Sequence, residues 1–178
     1  MQAARKHTMG FVPLIEVSRG GLVECQHWGA VAVADRDGRV SAQVGDPYTV
    51  TFTRSTIKAF QALPFMQSGG ARALGWGQGE LALLCASHNG EPMHTERVAA
   101  LLARIGAGES ALACGTHEPY FFRTLGQTPE PGARFNRLHH NCSGKHTGML
   151  MLAHALGQPL AGYLDTGHPV QQAITQSV

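Results

Sequence analysis

A change of period near residue 53 constrains the fold of this chain more than any other feature of its sequence. Before it, short β-prone runs at Val12 to Ser18, Cys25 to Ala34 and Val40 to Val44 alternate with turn residues, and Asp35-Arg36-Asp37-Gly38 marks a hairpin. After it, apolar residues recur at helical spacing. Ala59, Phe60 and Leu63 follow Ser55, with Gly69-Gly70 as a stop and Pro64 predicting a kink or an early end. Val98, Leu101, Leu102 and Ile105 define a helix over Pro92 to Ile105. Met149, Leu152, Ala153 and Leu156 define another, capped by Gly157. Glu80 to Ala86 reads as a short buried helix or strand, Thr116 to Arg134 as a long irregular connection, and Gln171 to Ser177 as the first turns of a helix. Strands first and helices after give an α+β class and one domain over residues 1–178.

Composition excludes several functions. With 178 residues, 43% hydrophobic and a net charge of +2, the chain has material for a core but no basic stripe to track a phosphate backbone. Nucleic acid is not an expected partner. No apolar stretch approaches the ~20 residues of a membrane span, and the run after Arg5 and Lys6 meets Glu16 too soon for a signal peptide. A cytoplasmic location is therefore expected. Cys25, Cys85, Cys114 and Cys142 form no CxxC pair, so reduced thiols are expected. The first three lie in apolar runs and read as buried.

Three clusters carry chemistry. Ser55-Thr56-Ile57-Lys58 is an S-x-x-K tetrad whose spacing puts both side chains on one helix face. A serine hydroxyl needs a base at neutral pH, and a neutral lysine amine can serve; Arg54 is a candidate for the neighbouring cation that keeps the amine neutral. Taken alone, the tetrad is better explained by an N-capping serine and an exposed lysine. Ser87-His88-Asn89-Gly90-Glu91 adds a second serine, and Ser87-x-Asn89 echoes the S-x-N element found beside serine nucleophiles. The third cluster, His140-Asn141-Cys142-Ser143-Gly144-Lys145-His146, gathers a thiol, an amine and imidazoles. Its spacing lacks a second ligand pair, so on spacing alone it reads as a polar helix start in preference to a zinc site. His27, His94, His117 and His154 read as ordinary core or surface residues.

In this order, and with Gly90-Glu91 and His168-Pro169-Val170-Gln171 in support, the three clusters resemble the Rhizobium-type asparaginase II family from about Pro13 to the end of the chain. The resemblance implies a fold related to serine β-lactamases and DD-peptidases, and hydrolysis of L-asparagine to aspartate and ammonia. It implies Ser55 as nucleophile, Lys58 as its base and Ser87 as a second catalytic serine paired with a downstream lysine. It also implies Cys142 and Lys145 as zinc ligands completed by a downstream cysteine. Family members are longer, so the chain is expected to lack the C-terminal part of the fold and to leave a sheet edge and apolar surface uncovered unless it forms a homodimer. Two other readings stand beside this one. One is a non-catalytic chain that binds metal or a partner. The other is a β-lactamase or peptidase, for which Lys145-His146-Thr147-Gly148 has one residue too many to match a Lys-Thr-Gly element.

Overall fold

A computed structural model describes residues 10–178. By internal contacts the chain divides into two compact units, one ending at Phe52 and the other spanning Thr53–Val178. The class is mixed α and β, with two small antiparallel sheets.

In the first unit, β1 (Val12–Arg19) pairs with β2 (Leu22–Gly29), and β3 (Val31–Ala34) pairs with β4 (Val40–Val44). The turn between β1 and β2 is Gly20-Gly21, both at positive φ (57° and 83°), the conformation a two-residue hairpin requires. The hairpin predicted at Asp35 is present, and the Asp35 carboxylate accepts from the backbone N–H groups of Asp37 and Arg39, each at 2.9 Å. The expected run from Cys25 to Ala34 is not one strand. It breaks at Gly29-Ala30, where side chains too small to pack on a pleated surface separate β2 from β3, and the two halves join different sheets. Ile15, Val23, Trp28 and Val33 remain exposed, so within the unit these two-stranded sheets bury little apolar surface.

The second unit is helical. It comprises α1 (Lys58–Gln67), α2 (Gly70–Ala73), α3 (Gln78–Cys85), α4 (Pro92–Ala103), α5 (Tyr120–Thr124), α6 (Ser143–Ala155) and α7 (Pro169–Ser177). Helix α6 is the axle. His146 to Ala153 are buried on every side of it, which is why its sequence lacks a polar face. Helices α1, α3, α4 and α7 pack around it, with Phe65, Leu84, Leu101, Leu102 and Ile174 in the shared core. The periodic residues Val98, Leu101 and Leu102 all face inward. Pro64 does not end α1, which runs on to Gln67 with Pro64 and Phe65 buried in the core. The connection through residues 116–134 holds one short helix, α5.

All four cysteines are free thiols, but only Cys114 is buried as expected. Cys25 is exposed because its sheet buries neither face. Cys85 is exposed because it follows the buried pair Leu83 and Leu84 by one residue, and the helical turn carries it outward.

Helices α3 and α6 meet through Gly144 and Gly148, one turn apart. A Cβ at Gly144 would lie 2.3 Å from the Leu83 carbonyl oxygen, and one at Gly148 would lie 2.5 Å from Leu84 Cδ1. The helices can approach this closely only because these positions lack side chains. Gly144→Ala is therefore expected to lower stability by about 2 kcal/mol despite its gain in helix propensity, a Tm loss of roughly 4–8 °C. Gly115→Ala, where nothing lies within 4 Å, is expected to stay within about 0.5 kcal/mol of the parent. Thermal denaturation of both variants checks the contrast.

Candidate active site

The site begins at a strained turn. Arg54–Ile57 form a single turn of 3-10 helix leading into α1, and Arg54 adopts φ +50°, the left-handed region that residues with a Cβ seldom occupy. Ser55 follows on the exposed side of this turn, and Lys58 opens α1 with its side chain turned inward, 2% exposed. Helix α3 ends at Cys85, and the extended residues after it place Ser87 over Lys58.

Three side chains form one line. Lys58 Nζ lies 2.8 Å from the Ala86 carbonyl oxygen and 2.7 Å from Ser87 Oγ, and Ser87 Oγ lies 3.0 Å from Ser55 Oγ. The tetrad's spacing suggested a direct bond from serine to lysine. Instead Ser87 stands between them, so the two motifs predicted separately form one hydrogen-bonded chain from a buried amine to two exposed hydroxyls.

Cys142 and Lys145 reach the same place. A cavity of about 280 Å³ is walled by Arg54, Ser55, Lys58, Gln61, Cys142 and Lys145. A larger cavity of about 600 Å³, between residues 106–113 and 160–165, contains none of the predicted site residues. The smaller cavity is cationic. Among the described residues, the ion pairs Arg19–Glu24, Arg36–Asp37 and Arg39–Asp37 all lie in the first unit, and none neutralises Arg54, Lys58 or Lys145. Cys142 and Lys145, the residues expected to hold a metal, lie at the N-terminal end of α6. Among the described residues no cluster of three or more His, Cys, Asp or Glu side chains completes such a site. Lys145-His146-Thr147-Gly148 lies inside buried α6 and is not a strand element.

Histidines brace the loop that carries Ser87. His88 is 4% exposed, and its Nδ1 accepts from the Gly90 N–H at 3.1 Å. Its Nε2–H therefore donates to Ser143 Oγ at 2.8 Å, and that hydroxyl passes its own proton to the Leu138 carbonyl at 2.9 Å. The His88 backbone N–H donates to Asn141 O, and the ring stacks on His94 with centroids 5.0 Å apart. Gly90 is required here: it sits at φ +78°, and a Cβ would lie 2.8 Å from His139 O. His117 Nε2 accepts from the Asn141 N–H at 3.0 Å while its ring packs against His140. His94 and His117 were read from the sequence as ordinary, and only the fold brings them beside the site. Elsewhere along α6, Tyr163 accepts from the Ala113 N–H and donates to His146 Nδ1, with burial pushing the phenol up to about 12.

The match of a family model gives this constellation its context. A hydroxyl within hydrogen-bond reach of an amine is a pairing that nucleophilic catalysis can use. The model for L-asparaginase II matches residues 15–178, and the chain belongs to that family. No curated protein matches the chain. No described helix is long and apolar enough to cross a membrane.

Burial, followed by electrostatic repulsion from the titratable groups of His94, Lys58, His140 and His117, pulls His88 down to about 4. Its folded form is thus neutral where an unfolded histidine, near 6.5, is taking up a proton. Stability from this group is fully present above pH 6.5 and is lost as pH falls toward 4, by on the order of 3 kcal/mol. Urea unfolding at pH 7, 5.5 and 4.5 is expected to show that decline, with a shallower slope in His88→Gln.

Proposed function

We propose that this chain is an L-asparaginase-type amidohydrolase that works through an acyl-enzyme on Ser55. The observation that carries this reading is the continuous line Ser55–Ser87–Lys58, within a member of the L-asparaginase II family. Lys58 is the base and Ser87 the relay. As Ser55 Oγ attacks the side-chain amide carbon of asparagine, its proton moves to Ser87 Oγ while the Ser87 proton moves to the Lys58 amine. The same path returns a proton to the amide nitrogen, which leaves as ammonia with the C–N bond's electron pair. Water then attacks the aspartyl ester and gives its proton back along the line, freeing aspartate and restoring Ser55.

The cavity suits this substrate class. Its volume of about 280 Å³ fits a small molecule, and the unpaired Arg54 favours the α-carboxylate of an amino acid. For zinc, the fit is partial. Cys142 and Lys145 would hold the ion as two of its four donors, where it would order the pocket beside Ser55, and no proton transfer above passes through it. The fold relation we infer is to serine β-lactamases, since the S-x-x-K and S-x-N elements meet in space as they must for that chemistry.

Ser55→Ala is expected to lower ammonia release from L-asparagine at least 1,000-fold and Ser87→Ala about 100-fold or more. Both are expected to leave circular dichroism unchanged, since both side chains are exposed. Lys58→Met is expected to abolish turnover. Equal activity of Ser55→Ala and the parent, or faster turnover of a chromogenic β-lactam than of L-asparagine, would refute the reading. L-Glutamine, one methylene longer, is expected to react about 10- to 200-fold more slowly.

A further inference from the structure

Behind the three-residue line lies a second, much smaller cavity, with room for about one water-sized sphere (about 10 Å³). Its polar lining is Lys58, Gln61 and Lys145, and the rest is apolar, including Ala62, Leu84 and Met149. Gln61 Oε1 is buried here with no hydrogen-bond partner. Buried amide oxygens are almost always paired.

Lys58 presents the complementary surplus. Among the described residues only Ala86 O and Ser87 Oγ accept from Nζ. As an ammonium, Nζ has three N–H groups and two protein acceptors. As the neutral amine that receives a proton from Ser87, it has two N–H groups. One goes to Ala86 O, the lone pair faces Ser87, and again one N–H is left over. An unpaired donor and an unpaired acceptor thus belong to two residues that line the same one-water space.

We propose that this space holds one water molecule bound between Lys58 Nζ and Gln61 Oε1, and that Gln61 acts through it as a positioning residue for the lysine. The water accepts the spare Lys58 N–H and donates to Gln61 Oε1. Lys145, on the same lining, can donate a third bond, the usual number for a buried water. With one N–H held by Ala86 O and the other by the water, rotation about the Cε–Nζ bond is stopped and the lone pair is aimed at Ser87 Oγ. Gln61 lies one helical turn beyond Lys58 on α1, so the tetrad extends to Ser55-x-x-Lys58-x-x-Gln61.

The positioning role rests on the function proposed above, whereas the water site does not. A crystal structure of the full chain is expected to show a single density peak within about 3.2 Å of both Lys58 Nζ and Gln61 Oε1. The peak is expected to vanish in Gln61→Met, and in Gln61→Leu should the first variant fold poorly. In ammonia-release assays Gln61→Met is expected to lower kcat about tenfold with KM within about twofold of the parent, the signature of misplaced machinery rather than lost binding. A parent structure with no peak, or with Gln61 Oε1 bonded directly to a protein group, would overturn the site. A peak that is present while Gln61→Met keeps the parent kcat would overturn the positioning role. If the parent releases no ammonia, the proposed function fails, and the water site stands or falls on the density alone.

Discussion

The close contact of α3 and α6 at Gly144 is the constraint from which the rest of the site follows. Helix α3 ends on Cys85 and releases Ala86 and Ser87, while α6 starts at Ser143 with Cys142 and Lys145 at its end. A wider separation of these helices would draw Ser87 away from Lys58 and Lys145 away from Ser55. The contact admits no Cβ, because the opposing atom is a backbone carbonyl that cannot turn aside. The glycine therefore sets the distance between two chemical groups that it does not itself touch.

Within that frame the site is a problem of burying a lysine. Removing an amine from water is costly unless its N–H groups find acceptors, and no carboxylate is supplied. Neutral acceptors take its place: the Ala86 carbonyl and the Ser87 hydroxyl. A carboxylate partner, by contrast, would hold such an amine as an ammonium. The surrounding imidazoles follow the same logic. Burial keeps His88 and His146 neutral well into mild acid, so they brace the loop and α6 without adding charge beside the lysine.

Much of this was legible in the residues. The helix at Val98 to Leu102 and the hairpin at Asp35 were readable because a period or a turn residue states its meaning locally. Ser55 and Ser87 stand out because each sits in a short polar cluster. What was not legible depended on distance in three dimensions. Nothing local places Ser87 between Ser55 and Lys58, 32 and 29 residues away along the chain. His94 and His117 look like surface residues until the loop from Ser87 to Glu91 folds against residues 138–141. Cys25 and Cys85 look buried because their neighbours are apolar, yet one lies on a sheet with no covered face and the other is turned outward by the helical period.

Arg54 shows a different kind of limit. Its left-handed backbone favours glycine or asparagine, each of which would remove the guanidinium from the cavity wall, while lysine would keep a cation and the same conformational penalty. No amino acid satisfies both demands at once. Position 54 is thus a place where adaptation is caught between two optima: drift toward a relaxed backbone empties the cavity of a charge, and retention of the charge perpetuates the strain. A library of variants at this one residue would trace a trade-off rather than a peak.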